Sequence, residues 1–218
     1  MFQAEAGGRQ GRPKDGAKRE EIIAAAVQLF LDNGYGATTM DAVARRANVS
    51  KLTIYSHFTD KKELFRATIQ AGCENVGLPT SFLNVVDLGA EEALLKISRS
   101  ILGVVLKPES IRLMRVVHAE ALSNSEITQI YFEVGPSRIR AAFADVLREL
   151  EKQKKISIPD IPRAADQFFC LLKGEMLHRI LILHAPLPTA EETGAHIRAT
   201  VSFFLAAYSK IPTETEKL

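Results

Sequence analysis

Residues 39–58, TMDAVARRANVSKLTIYSHF, decide the fold of this chain. Residues 39–47 and 51–58 have the spacing of two helices joined by a tight turn, the arrangement of a helix-turn-helix. Asn48 tolerates the left-handed backbone that such a turn demands, and Ser50 is placed to cap the second helix. A helix over 51–58 would turn Ile54 and Phe58, with Val49 before it, toward a core. Lys51, Thr53, Tyr55, Ser56 and His57 would then supply groups that bond phosphates and base edges. Ahead of the pair, Thr38-Thr39-Met40-Asp41 has the form of a capping box, a hydroxyl three residues before a carboxylate.

Ahead of this pair, residues 18–33 carry an apolar stripe of Ile22, Ile23, Ala26, Leu29 and Phe30, with Gly34 as a left-handed stop. Before them lies a basic arm, residues 1–16, with Arg9, Arg12 and Lys14 among glycines. Its Gly11-Arg12-Pro13-Lys14 segment is open to two readings, a minor-groove contact or a solubilising tail. Thr59-Asp60 opens a fourth helix through about residue 71. Gly77, Pro79, Ser81 and Gly89 then mark a linker, after which longer helices are predicted at 90–106, 109–123, 125–134, 136–154, 162–184 and 190–209. Gly135-Pro136 reads as a kink. The expectation is an all-α chain: an arm (1–16), a three-helix helix-turn-helix domain (17–72), a larger helical domain (73–210) and a tail (211–218).

The 218 residues, 46% hydrophobic, suffice for a real core. The net charge of +2 is too small to announce a nucleic-acid binder, but its distribution is uneven. Residues 1–72 hold 11 Lys and Arg against 8 Asp and Glu, whereas the remainder holds 17 against 18. No stretch approaches the apolar length that a bilayer requires, so no membrane role and a cytoplasmic location are expected. Cys73 and Cys170 match no metal-ligand spacing and read as buried reduced thiols. No phosphate loop, His-Glu-x-x-His motif or nucleophile signature occurs, so neither a catalytic residue, a metal site nor a cofactor is expected. Glu91-Glu92 and Glu191-Glu192 begin helices, where negative charge suits the dipole.

Residues 34–69, GYGATTMDAVARRANVSKLTIYSHFTDKKELFRATI, resemble the DNA-binding domain of the tetracycline-repressor family over its whole length. The resemblance rests on the aromatic and the threonine pair before the first helix, the Ala-x-Val-Ser turn, the Thr-x-Tyr-x-His-Phe recognition helix and the Lys-x-x-Leu opening of the fourth. The chain departs from the family's pattern at Asn48, where Gly is usual, and at Leu52, where a smaller residue is common. Carried over by position, the resemblance implies that Thr39, Tyr55, His57 and Lys61 hold phosphates while Lys51, Leu52 and Thr53 face bases. Ser56 lies on the same face. Leu52 would favour a thymine methyl. Plainer readings stand beside these: Thr39 as a helix cap only, Tyr55 as a packed ring, His57 as a solvated imidazole, and Lys51 and Lys61 as solvent charges.

The same resemblance implies a C-terminal domain that is both dimer interface and ligand pocket. Residues 110–143, SIRLMRVVHAEALSNSEITQIYFEVGPSRIRAAF, are similar to the AefR-like branch. The last long segments, 164–183 and 194–210, are more apolar than a solvent-facing pair needs; a four-helix dimer interface and burial within the monomer both account for that. His118, between Met114 and Leu122 at helical spacing, reads either as a hydrogen-bonded core residue or as a ligand contact. Glu175 and His178 are candidate polar anchors or an exposed edge, and Phe169, like Phe168 and Met176, is first of all a core residue. What the resemblance implies for function is a ligand-responsive regulator. A homodimer would bind a palindromic double-stranded operator, repress transcription and be released by an apolar or aromatic small molecule.

Overall fold

Gly34 breaks the first long helix by taking φ 79°, a conformation that L side chains rarely adopt. Two side chains then tie the next residues down. Thr38, 1% exposed, donates its hydroxyl to the Gly34 carbonyl at 2.8 Å and the Leu29 carbonyl at 3.1 Å. Lys61 donates its ammonium to the carbonyls of Tyr35, Gly36 and Thr38. The turn into the helix-turn-helix is therefore held by a buried hydroxyl and a cation that both take up main-chain carbonyls.

The structure, a computed structural model, describes residues 13–74 and 87–208, with Phe82 and Val85 between them. Among the described residues there are ten helices and no strand: α1 (Pro13–Ala37), α2 (Met40–Arg46), α3 (Lys51–His57), α4 (Lys61–Glu74), α5 (Ala90–Val105), α6 (Pro108–Glu120), α7 (Ser125–Val134), α8 (Pro136–Lys152), α9 (Ile161–Leu183) and α10 (Ala190–Tyr208). The chain divides into two compact units, Met1–Thr68 and Ile69–Leu218, and α4 runs across the division. The expected linker residues Gly77, Pro79 and Ser81, the arm before residue 13 and the tail after 208 lie outside the described residues.

The first unit is organised around an aromatic trio. Phe30 stacks on Tyr35 with centroids 5.6 Å apart, and Phe65 meets both edge-on at 5.3 Å. Val43 from α2 and Ile54 from α3 are fully buried in this unit, so the two short helices are fixed by packing rather than by their own length. The second unit has its core between α5, α8, α9 and α10. Phe143 stacks on Phe168 at 4.6 Å, Phe204 meets Phe168 edge-on at 5.0 Å, and Leu94, Ile97 and Leu147 close the gaps. A smaller cluster joins Ile111 and Met114 of α6 to Ile180 of α9. Arg115 of α6 reinforces it by donating to the Ile180 and Leu181 carbonyls, which lack helical partners near the end of α9.

Five expectations need correction. α1 begins at Pro13 rather than residue 18, Pro being well suited to the first turn because it has no N–H to satisfy. The cap of α2 is Thr39, whose Oγ1 accepts from the Ala42 N–H at 3.1 Å; Thr38 is turned inward, so no capping box forms. Gly135 separates α7 from α8 completely, and its backbone lies so close to the Tyr131 carbonyl that an added Cβ would sit 3.1 Å from that oxygen. α9 is broken at Gly174 (φ 24°, ψ −136°), and the imidazole of His196 on α10 donates to the Leu172 carbonyl beside the break at 2.9 Å. Finally, Cys170 is exposed, because α9 presents that face away from the core, and Cys73 on α4 is half-buried.

Candidate nucleic-acid interface

The corner between α2 and α3 is built from short-range bonds. Asn48 takes φ 52°, its N–H reaches the Arg45 carbonyl, and the Val49 N–H reaches Ala44 at 3.0 Å. Ser50 caps α3 by accepting from the Thr53 N–H at 3.0 Å. A cap of this kind stabilises a helix by about 1 kcal/mol, which matters for one of two turns. Ile54 and Phe58 are buried and Val49 is half-buried. Arg19 of α1 lies over the Phe58 ring at 5.1 Å.

The opposite face of α3 is open. Leu52 is 82% exposed and Tyr55 44%, with Lys51 and Ser56 also exposed and Thr53 and His57 half-buried. An apolar side chain so exposed at the start of a seven-residue helix contributes nothing to the unit's own core, which fits a group that meets something else. The hydroxyls differ in what they have left to offer. Ser56 has already donated to the Thr53 carbonyl, so it can only accept further; Thr53 and Ser50 share a hydrogen bond at 2.8 Å. Thr39 accepts from the Ala42 N–H and keeps its proton for an outside acceptor. The Tyr55 phenol has no hydrogen-bond partner among the described residues. His57 closes α3 with its ring 6.3 Å from that of Phe58.

Lys51 and Lys61 are placed very differently. The Lys51 ammonium lies in solvent, 2.9 Å from Oδ1 and 3.1 Å from Oδ2 of Asp41 on α2. The bond to that carboxylate raises the lysine's pKa above its ordinary value. Lys61 instead aims at three carbonyls and sits 4.3 Å over the Tyr35 ring, the position of a residue that organises the turn before α2. Reading the sequence missed Asp41, because a contact across ten residues follows no helical period. It also passed over Arg45 and Arg46, exposed in the last turn of α2 without a partner among the described residues.

In the second unit the structure does not gather His118, Phe169, Glu175 and His178 into one pocket. α6 buries Ile111, Met114 and Val117, which puts His118 outside the stripe; it is exposed and donates Nδ1–H to the Met114 carbonyl at 2.6 Å. Phe169 belongs to the core, edge-on to Phe143 at 5.5 Å, and Glu175 and His178 are exposed beyond the break in α9. An open cleft of about 500 Å³ lies instead where α5 ends and α6 and α10 begin, with Leu102, Leu106 and Ile197 as apolar lining and Arg99 and Lys107 as its cations. Apolar side chains stand exposed on α9 and α10: Leu171 (36%), Ile182 (58%), Leu183 (67%) and Phe203 (65%). No helix among the described residues is long and apolar enough to cross a membrane.

Comparison with known proteins agrees with this geometry. Residues 22–68 match the family described as bacterial regulatory proteins, tetR family, and residues 92–210 match the AefR-like transcriptional repressor C-terminal domain. The chain therefore belongs to the TetR family of transcriptional regulators, with the helix-turn-helix in its N-terminal unit. It is 28% identical over 184 residues to an HTH-type transcriptional regulator of Mycobacterium bovis, spanning 84% of this chain and 86% of that one. It is 42% identical over 72 residues to the HTH-type transcriptional activator FasR of Mycolicibacterium smegmatis, a match that spans only 32% of each chain. Among solved structures, a TetR-family regulator from Mesorhizobium loti superposes with a TM-score of 0.78 at 27% identity, covering 91% of this chain and 100% of that one. The flavonoid-responsive regulator FrrA superposes with a TM-score of 0.74 at 32% identity, covering 90% and 99%.

Proposed function

We propose that the protein is a cytoplasmic repressor whose two copies insert their α3 helices into successive major grooves of a two-fold operator, about one DNA turn apart. The observation that carries this reading is the open face of α3, where Lys51, Leu52 and Tyr55 stand exposed on a helix whose other side is buried. In this reading Lys51, Leu52 and Thr53 meet base edges. Thr39, Tyr55 and His57 bond phosphates, Ser56 accepts on the same face, and Lys61 holds the segment that presents Thr39. Arg45 and Arg46 add further cations for the backbone. The exposed apolar residues of α9 and α10 support a four-helix interface between the two copies.

The match to a repressor domain over 92–210 favours repression as the mode of control. An effector releases the DNA by binding more tightly to a dimer whose reading heads no longer fit the groove spacing, and α4 carries the chain from one unit to the other. FrrA is named as flavonoid-responsive, which makes planar aromatic compounds the first class to screen as effectors. The test is selection of bound fragments from random duplex DNA, then titration of the recovered site against salt. Recovery of a two-fold-related sequence whose affinity falls steeply with salt supports the reading. A folded protein that enriches no sequence contradicts it.

A further inference from the structure

Asp41 lies in the first turn of α2, where a carboxylate suits the helix dipole, but that role does not require it to face Lys51. Thr39 caps α2, and an ion pair with both members more than half exposed (65% and 58%) adds little to stability. Yet the carboxylate offers both oxygens to Lys51 at 2.9 and 3.1 Å, across the corner that joins the two helices. A lysine so held already has its counter-charge, so laying it on a phosphate releases no net counterion unless the pair first separates.

We propose that Asp41 is a specificity-determining residue of the reading face: it restrains Lys51, so that the lysine contributes to binding only where base acceptors meet the N–H that the carboxylate leaves open. This rests on the reading of α3 as the recognition helix. A random duplex offers Lys51 mainly phosphates, and exchanging one anion for another gains little. A guanine offers O6 and N7 together in the major groove, neutral acceptors that a lysine still held by Asp41 meets with its remaining N–H, so that the ion pair need not separate. The pair therefore subtracts from nonspecific affinity while leaving the specific contact in place, which widens the ratio between the two. Asp41 acts through Lys51 and is a positioning residue for it.

The test uses the full chain with Asp41→Asn, Lys51→Met and the double variant. Each is measured on the duplex recovered by selection and on a mixed-sequence duplex of equal length, over a range of salt. Asp41→Asn is expected to bind the mixed duplex about three-fold or more tighter at low salt, with a salt slope steeper by about 0.9, the signature of one additional phosphate contact. Affinity for the selected duplex should change less, so discrimination falls. In the Lys51→Met background the Asp41 substitution should have no effect on either duplex. Equal tightening on both duplexes, tightening that persists without Lys51, or an unchanged slope each overturns the proposal. Wild-type protein that does not distinguish the two duplexes contradicts the functional reading itself, and the proposal with it.

Discussion

The Lys61 ammonium donates to the Tyr35 carbonyl at 2.8 Å while sitting 4.3 Å above the same residue's ring. One cation thus fastens both the main chain and the side chain of the residue just after the Gly34 break, and two further carbonyls share it. Removing it, as in Lys61→Met, takes a charge-assisted donor from all three carbonyls. The expected loss is about 2 kcal/mol of stability, seen as a lower melting temperature, because charge-assisted bonds are the stronger kind. The slope of affinity against salt should be unchanged. Full stability with a slope shallower by about 0.9 would make Lys61 a phosphate ligand instead.

Tyr55→Phe removes a single exposed phenol. Its expected cost is about 1 kcal/mol, felt on operator and random DNA alike, as suits a phosphate contact. A loss confined to one sequence, measured by competition between duplexes, would place the hydroxyl on a base.

Leu52, 82% exposed, presents an apolar group at the point where α3 begins. If it meets a thymine methyl, replacing that thymine by uracil should weaken binding by about 1 kcal/mol in wild-type protein and have no effect in Leu52→Ala. An equal response in both proteins would remove Leu52 from the reading face.

Phe203 is 65% exposed on α10, where a lone monomer would have no use for it. Phe203→Asp is expected to shift sedimentation from dimer to monomer, weakening association by at least about 2 kcal/mol, with helical content retained. A variant that stays dimeric would place the interface elsewhere.

Burial pushes the Tyr131 phenol up to about 12. Its folded value then lies above the unfolded one of about 10, so the unfolded chain releases this proton first. Stability is fully retained below about 10 and falls as pH rises toward 12. Denaturant titrations at several alkaline pH values should show a shallower decline in Tyr131→Phe. Identical declines would mean that the phenol is solvated in the folded chain.

The helix-turn-helix was legible because its signals are local. Asn48 and Ser50 sit where a left-handed turn and a cap are needed, and Ile54 and Phe58 follow the helical period. The misplacements come from choices that a period leaves open. Thr38 and Thr39 are chemically equal, and only the carbonyls of Leu29 and Gly34 decide that Thr38 turns inward. His118 lies one residue beyond Val117 on α6, so a small error in helical phase moves it from core to surface. The carbonyl beside the break at Gly174 is met by His196, 22 residues beyond the break, and Asp41 is met by Lys51; such pairings exist only once the chain has folded.

The claim that α3 reads DNA is tested most directly by repeating the selection from random duplex DNA with Lys51→Met. The recovered sequence is expected to keep its two-fold symmetry and spacing, but to lose its base preference at one symmetric pair of positions. Recovery of the unaltered sequence, bound uniformly more weakly, would show that Lys51 holds only the backbone and that the reading face has been misplaced.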